Sequence, residues 1–153
     1  MGLWAGLSPE TVADGLAVEP ESPWRMELRR SPGGTTVLND SYNAGPASME
    51  AALRSLASLP AQRHVAVLGV MAELGERETA EHRRIAGLAR DLGVELVPVA
   101  TDLYGGEPVA DAAVAVRTVR SLAASEGDGL AVLVKGSRVA GLEIVADALT
   151  ATD

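Results

Sequence analysis

The chain contains no cysteine and no phenylalanine, and its large aromatics are only four: Trp4, Trp24, Tyr42 and Tyr104. Without cysteine there is no disulfide framework, no thiolate metal site and no Cys nucleophile. All four aromatics fall outside the strands and helices that the sequence predicts. The core is therefore expected to be aliphatic, and nucleic-acid recognition by bases stacked on sheet aromatics is disfavoured. No apolar run is long enough to span a bilayer and no basic-then-apolar leader occurs, so a cytoplasmic location is the expectation. The net charge of −8 argues against a phosphate-backbone partner, which needs clustered cations. It leaves room for a local anion site built on one or two cations. Two further absences matter: there is no Gly-x-x-x-x-Gly-Lys-Ser/Thr phosphate loop and no Gly-x-Gly-x-x-Gly dinucleotide fingerprint.

What is present reads as one domain. A chain of 153 residues can bury roughly 70% of its unfolded surface. Ser8-Pro9-Glu10 predicts a short helix ending by Gly15, and the proline-rich stretch 17–24 a linker. Met26–Arg30 and Thr35–Leu38, separated by Ser31-Pro32-Gly33-Gly34, predict a β-hairpin. Strand, loop and helix then alternate. A helix over 47–59 places Met49, Ala52, Leu53 and Leu56 on one face, and a short buried strand covers 64–68. Helix 79–92, strand 94–100, helix 109–124, strand 130–134 and a last helix bearing Leu142, Val145 and Leu149 complete the pattern. The expected fold is α/β, a three-layer sandwich with a Rossmann-like, mostly parallel sheet and an antiparallel hairpin at its start.

In such a sheet every strand-to-helix loop emerges at one edge, where ligands bind. Three of these loops are polar or glycine-bearing: Asn-Asp-Ser-Tyr-Asn-Ala-Gly-Pro (39–46), Gly-Val-Met-Ala-Glu-Leu-Gly (69–75) and Lys-Gly-Ser-Arg (135–138). They bring Asp40, Asn43, Glu73, Lys135, Ser137 and Arg138 to one edge beside the flat ring of Tyr42, a mixed set suited to a zwitterion or a nucleotide. Each has a plainer reading. Asp40 and Asn43 would serve as caps for the helix begun by Pro46, Gly69 and Gly75 as turn residues, and Ser137 as an N-cap. Glu73 would be a solvated charge, and His64 and His82 would have ordinary structural roles. The two cations flanking Ser137 after a buried strand favour an anion site. Lacking a phosphate loop and a nucleophile–base pair, the chain reads as part of an active site.

The motifs themselves carry a resemblance. Residues 39–53, Val67–Gly75, His82 and Val132–Arg138 are similar, in order and spacing, to signatures of the Mur ligase family, and Trp24-Arg25-Met26-Glu27 resembles the start of its C-terminal domain. Asn39, Gly45 and Val70 depart from the family pattern. The resemblance implies that residues 1–24 are a linker and the tail of a central ATPase domain, and 25–153 the C-terminal domain. The closest pattern is that of the dipeptide-adding branch. Its reaction uses ATP and Mg²⁺ to activate the UDP-N-acetylmuramoyl-tripeptide as an acyl phosphate, which the amine of D-alanyl-D-alanine attacks. By position, Arg25, Asp40, Tyr42, Asn43 and Pro46 would contact ATP, while Lys135, Ser137 and Arg138 would face the dipeptide. No catalytic group or metal site is expected in this domain alone. Its partners would be the two substrates and the N-terminal and central domains of the same enzyme. The competing readings are a stand-alone nucleotide- or amino-acid-binding module and a sibling ligase, either another Mur enzyme or folylpolyglutamate synthase.

Overall fold

The computed structural model describes residues 24–152, and the helix and linker predicted upstream of Trp24 lie outside them. Five strands form one sheet: β1 (Glu27–Arg30), β2 (Thr36–Asp40), β3 (Arg63–Leu68), β4 (Val94–Pro98) and β5 (Leu130–Lys135). Their spatial order is β1-β2-β5-β3-β4, with β1–β2 antiparallel and all other pairs parallel. The helices are α1 (Pro46–Ser58), α2 (Glu78–Asp91), α3 (Ala112–Glu126) and α4 (Glu143–Thr150).

Side-chain alternation along the strands divides the core in two. Leu38, Ala66, Leu68, Ala131 and Leu133 pack with α1 and α2, whereas Val37, Val65, Val67, Val132 and Val134 pack with α3 and α4. β5 is buried along its whole length, as a central parallel strand covered on both faces should be. The helical face expected for α1 is the buried one: Met49, Ala52, Leu53 and Leu56. The connections toward β4 carry their helices on one face and the return to β5 carries α3 on the other, as a single hand of crossover requires.

Several boundaries differ from expectation, each for a local reason. Met26 has a positive φ of 47° and lies outside β1. β4 stops at Pro98, and beyond it Val99 and Val109 make an isolated bridge before Ala100 turns at φ 53°. That bridge removes Val109 from the predicted helix, which starts only after Asp111 accepts from the N–H of Val114 at 2.8 Å. The aliphatic core also needs amending: Tyr104, in a loop, is 4% exposed and part of the α1/α2 side.

Candidate functional site

β2 and β3 lead into helices on one face, and β5 between them leads to α4 on the other. The loops leaving these three strands therefore part around a crevice at the C-terminal edge of the sheet, the position at which doubly wound folds bind ligands. Register sets its centre. Asp40 and Lys135 are the last residues of neighbouring strands and pair directly, both on the α1 side. Lys135 Nζ meets Asp40 Oδ2 at 2.5 Å, the Asn43 carbonyl at 2.8 Å and the Asp40 carbonyl at 3.4 Å. The other carboxylate oxygen of Asp40 accepts from the N–H of Met26 at 3.1 Å. One ammonium thus ties β5, the end of β2 and the following loop together, while Asp40 holds the segment leading into β1.

This arrangement changes two expectations. Asp40 does not cap α1: the N-cap is Gly45, whose N–H donates to Ser48 Oγ at 3.0 Å. Lys135, expected to face a ligand, is 1% exposed with three acceptors already engaged. Its task is to hold the loop that carries Tyr42 and Asn43. Ser137 has a similar task. Its hydroxyl accepts from the N–H of Ala72 at 2.8 Å and donates to the Ala44 carbonyl at 3.3 Å, and its own N–H donates to the Val70 carbonyl. It starts the short helical turn Arg138–Ala140 without a side-chain cap. Three loops therefore meet on one buried oxygen.

Arg25, Tyr42 and Asn43 do line open space. A cleft of about 410 Å³ runs between the end of β2, the start of the hairpin and α1, bordered by Arg25, Asp40, Tyr42, Asn43, Ser48 and Lys135. Pro46 sits at the first turn of α1 beside it. Asn43 is exposed and binds the N–H of Ala44 at 2.8 Å. The Arg25 guanidinium lies over the Tyr42 ring at 4.2 Å, and that of Arg138 lies 5.6 Å from the same ring and 5.1 Å from Trp24. Both guanidiniums are exposed, and neither forms an ion pair among the described residues. With the Lys135 charge offset by Asp40, these two are the cations beside Tyr42 that no carboxylate of the described residues engages. Aromatic faces hold them within reach while leaving their N–H donors free.

The loop after β3 was the part least readable from sequence. The N–H of Met71 donates to His82 Nε2 at 2.9 Å, and His82 Nδ1–H donates to the Glu78 carbonyl, so both nitrogens of the buried imidazole are engaged. The Tyr104 hydroxyl donates to the Gly69 carbonyl at 2.8 Å and its ring meets that of His82 edge-on. Burial pushes the Tyr104 hydroxyl well above its ordinary pKa, so it remains a donor. On the opposite face of the sheet, Asn39 Oδ1 accepts from the N–H and the hydroxyl of Ser41, and the buried Asn39 Nδ2 has no partner among the described residues.

Close approach of the β3 and β5 loops requires small residues. A Cβ on Gly69 would stand 2.7 Å from Ala140 Cβ and 3.1 Å from Leu142 Cδ1. Gly69→Ala is expected to lose about 1–3 kcal/mol by overpacking, read as a lower urea midpoint. An unchanged midpoint would show that the loops can part freely.

Among the described residues, no group of three or more His, Asp or Glu side chains could hold a metal ion, and no helix is long and apolar enough to cross a membrane. The family model described as "Mur ligase, glutamate ligase domain" matches residues 24–138. The UDP-N-acetylmuramoyl-tripeptide–D-alanyl-D-alanine ligase of Mycobacterium tuberculosis (strain CDC 1551 / Oshkosh) is 42% identical across the whole of this chain, and 36% of that relative is covered. Among solved structures, MurF from Acinetobacter baumannii superposes with a TM-score of 0.74 at 26% identity, covering 95% of this chain and 34% of its own. MurF ligase from Thermotoga maritima in complex with ADP gives the same TM-score at 24% identity, covering 88% of this chain and 32% of its own. The chain thus spans about a third of the length of the relatives it matches.

Proposed function

Because this chain belongs to the Mur ligase family, we propose that it is the C-terminal domain of an ATP-dependent ligase joining D-alanyl-D-alanine to the UDP-N-acetylmuramoyl-tripeptide. On this reading residues 1–24 lead in from a central ATPase domain, residues 25–153 form the C-terminal domain, and the reaction is cytoplasmic. The observation that supports it best is the joining of the Asn39–Pro46 loop to the Lys135–Arg138 segment through the Asp40–Lys135 pair. It would make one wall of a site with two cations against Tyr42 and no phosphate loop.

Arg25 would approach the ribose or phosphates, the remaining lone pairs of Asp40 would accept from ribose hydroxyls, and Tyr42, Asn43 and Pro46 would border the nucleotide. ATP, when bound, supplies the phosphoryl group that activates the precursor's carboxylate. The described residues do not fit Mg²⁺ by themselves, so the reading leaves that ion to the rest of the enzyme. Arg138 would take the carboxylate of the dipeptide through charge-assisted hydrogen bonds, with Lys135 and Ser137 fixing the loops around it. Closure of this wall over the nucleotide would bring amine and activated carboxylate together and exclude water.

The test is ligation by the full-length protein that carries this domain. It should form the amide from tripeptide precursor, dipeptide and ATP, whereas the 153-residue chain alone should show no ATP turnover and at most weak ATP binding by calorimetry. Tight ATP binding by the isolated chain would favour the competing reading, a self-sufficient nucleotide-binding module.

A further inference from the structure

The incoming dipeptide is a zwitterion, and Arg138 provides for only one of its ends. The three loops that meet at Ser137, residues 41–45, 69–74 and 136–142, contain a single carboxylate, Glu73. Asp40, at the border of the first, is already neutralised by Lys135. Glu73 is exposed and forms no ion pair among the described residues. Its backbone holds a positive φ of 65°, a conformation that glycine adopts readily and a glutamate does not.

Such a conformation persists only where the surroundings over-determine it, and here they do. Gly69 is held by the Lys135 carbonyl and the Tyr104 hydroxyl, Val70 by the Ser137 N–H, Met71 by His82 and Ala72 by the Ser137 hydroxyl. Four consecutive residues are tied from outside the loop, and the next is the strained Glu73. The 2.8 Å bond from Ala72 to Ser137 also sets its location. Glu73 and Arg138 each follow a partner in that bond, so an acid and a base leave the backbone at the same loop junction.

We infer that Glu73 receives the ammonium group of the dipeptide and so positions the amine that becomes the nucleophile, an inference that rests on the ligase reading. It is a positioning residue: a carboxylate pairs with the charged amine on binding, and the strained backbone aims it. The test uses the full-length ligase. Glu73→Gln should raise the KM for D-alanyl-D-alanine by about threefold to fivefold, the size of a partly exposed charge pair. It should leave the KM for ATP unchanged. It should also leave unchanged the inhibition constant of N-acetyl-D-alanyl-D-alanine, which has no ammonium. Glu73→Gly should raise the dipeptide KM equally while raising the melting temperature, because it relieves the positive φ. An unchanged dipeptide KM in both variants, or equal weakening of the acetylated dipeptide, overturns the assignment alone. Absence of any amide product from the unmodified enzyme overturns the ligase reading and the assignment with it.

Discussion

Lys135→Met is expected to lower the unfolding free energy by about 3–5 kcal/mol, the cost of leaving a buried charge without its partner. The pair is largely shielded, with side-chain exposures of 2% for Lys135 and 12% for Asp40, so solvent replaces little of what the missing ammonium supplied. Two carbonyls, those of Asp40 and Asn43, lose a donor at the same time. Lys135→Arg should restore little, because a planar fork cannot reproduce three donors converging from one nitrogen. The double variant Asp40→Asn with Lys135→Met should lose clearly less than the sum of the two single losses, since the orphaned charge is then absent. Urea unfolding of the unmodified protein, the single variants Lys135→Met, Lys135→Arg and Asp40→Asn, and the double variant measures this, provided the m value stays constant. A loss below about 1 kcal/mol for Lys135→Met would place the pair in the class of exposed ion pairs and overturn its role as the tie between β2 and β5.

Arg138→Ala tests the ligand side of the same wall. On the proposed ligase reading, it should raise the KM of the full-length protein for D-alanyl-D-alanine at least about tenfold, corresponding to the roughly 1.5 kcal/mol or more that a hydrogen bond to a charged group supplies. The KM for ATP should change little, and Arg138→Lys should fall between, since it keeps the charge and loses the two-pronged geometry. Arg138 is exposed and holds only aromatic neighbours, so stability should shift by no more than about 0.5 kcal/mol. That separation of binding from stability distinguishes a ligand contact from a structural one. An unchanged dipeptide KM would remove Arg138 from the site.

The layers and the strand succession were legible because periodicity reports them directly. The buried face of α1 and the continuous apolar run of β5 are both written in residue spacing. The site was legible as a set of loops and much less as a set of roles. Sequence marks Lys135 as a cation after a buried strand, but its exposure depends on what stands across the sheet, and Asp40 is brought there from 95 residues away. One signal did exist: Lys135 is the only lysine in a chain whose other twelve basic residues are arginines. A compact ammonium with three donors fits a buried niche of carboxylate and carbonyl oxygens where a guanidinium does not. Ser137 was likewise marked as polar, while its three bonds to two other loops depend on tertiary approach. Tyr104 lies in a loop, as the sequence pattern predicts. Its ring reaches the core because His82 and Gly69 offer an edge and an acceptor that no local pattern announces.

The position of β5 has a further consequence, in the order of events during folding. The strand that occupies the middle of the sheet is the last of the five to be synthesised, and it must enter between two strands made long before it. Until it arrives, β2 and β3 each expose an unpaired edge, and the hairpin has nothing parallel to join. Such edges are templates for pairing with other chains. Closing the sheet requires contacts of long sequence separation, which slow folding. Assembly of the proposed ligand-binding wall is therefore tied to completion of the sheet: Asp40 and Lys135 meet only once β5 has paired with β2.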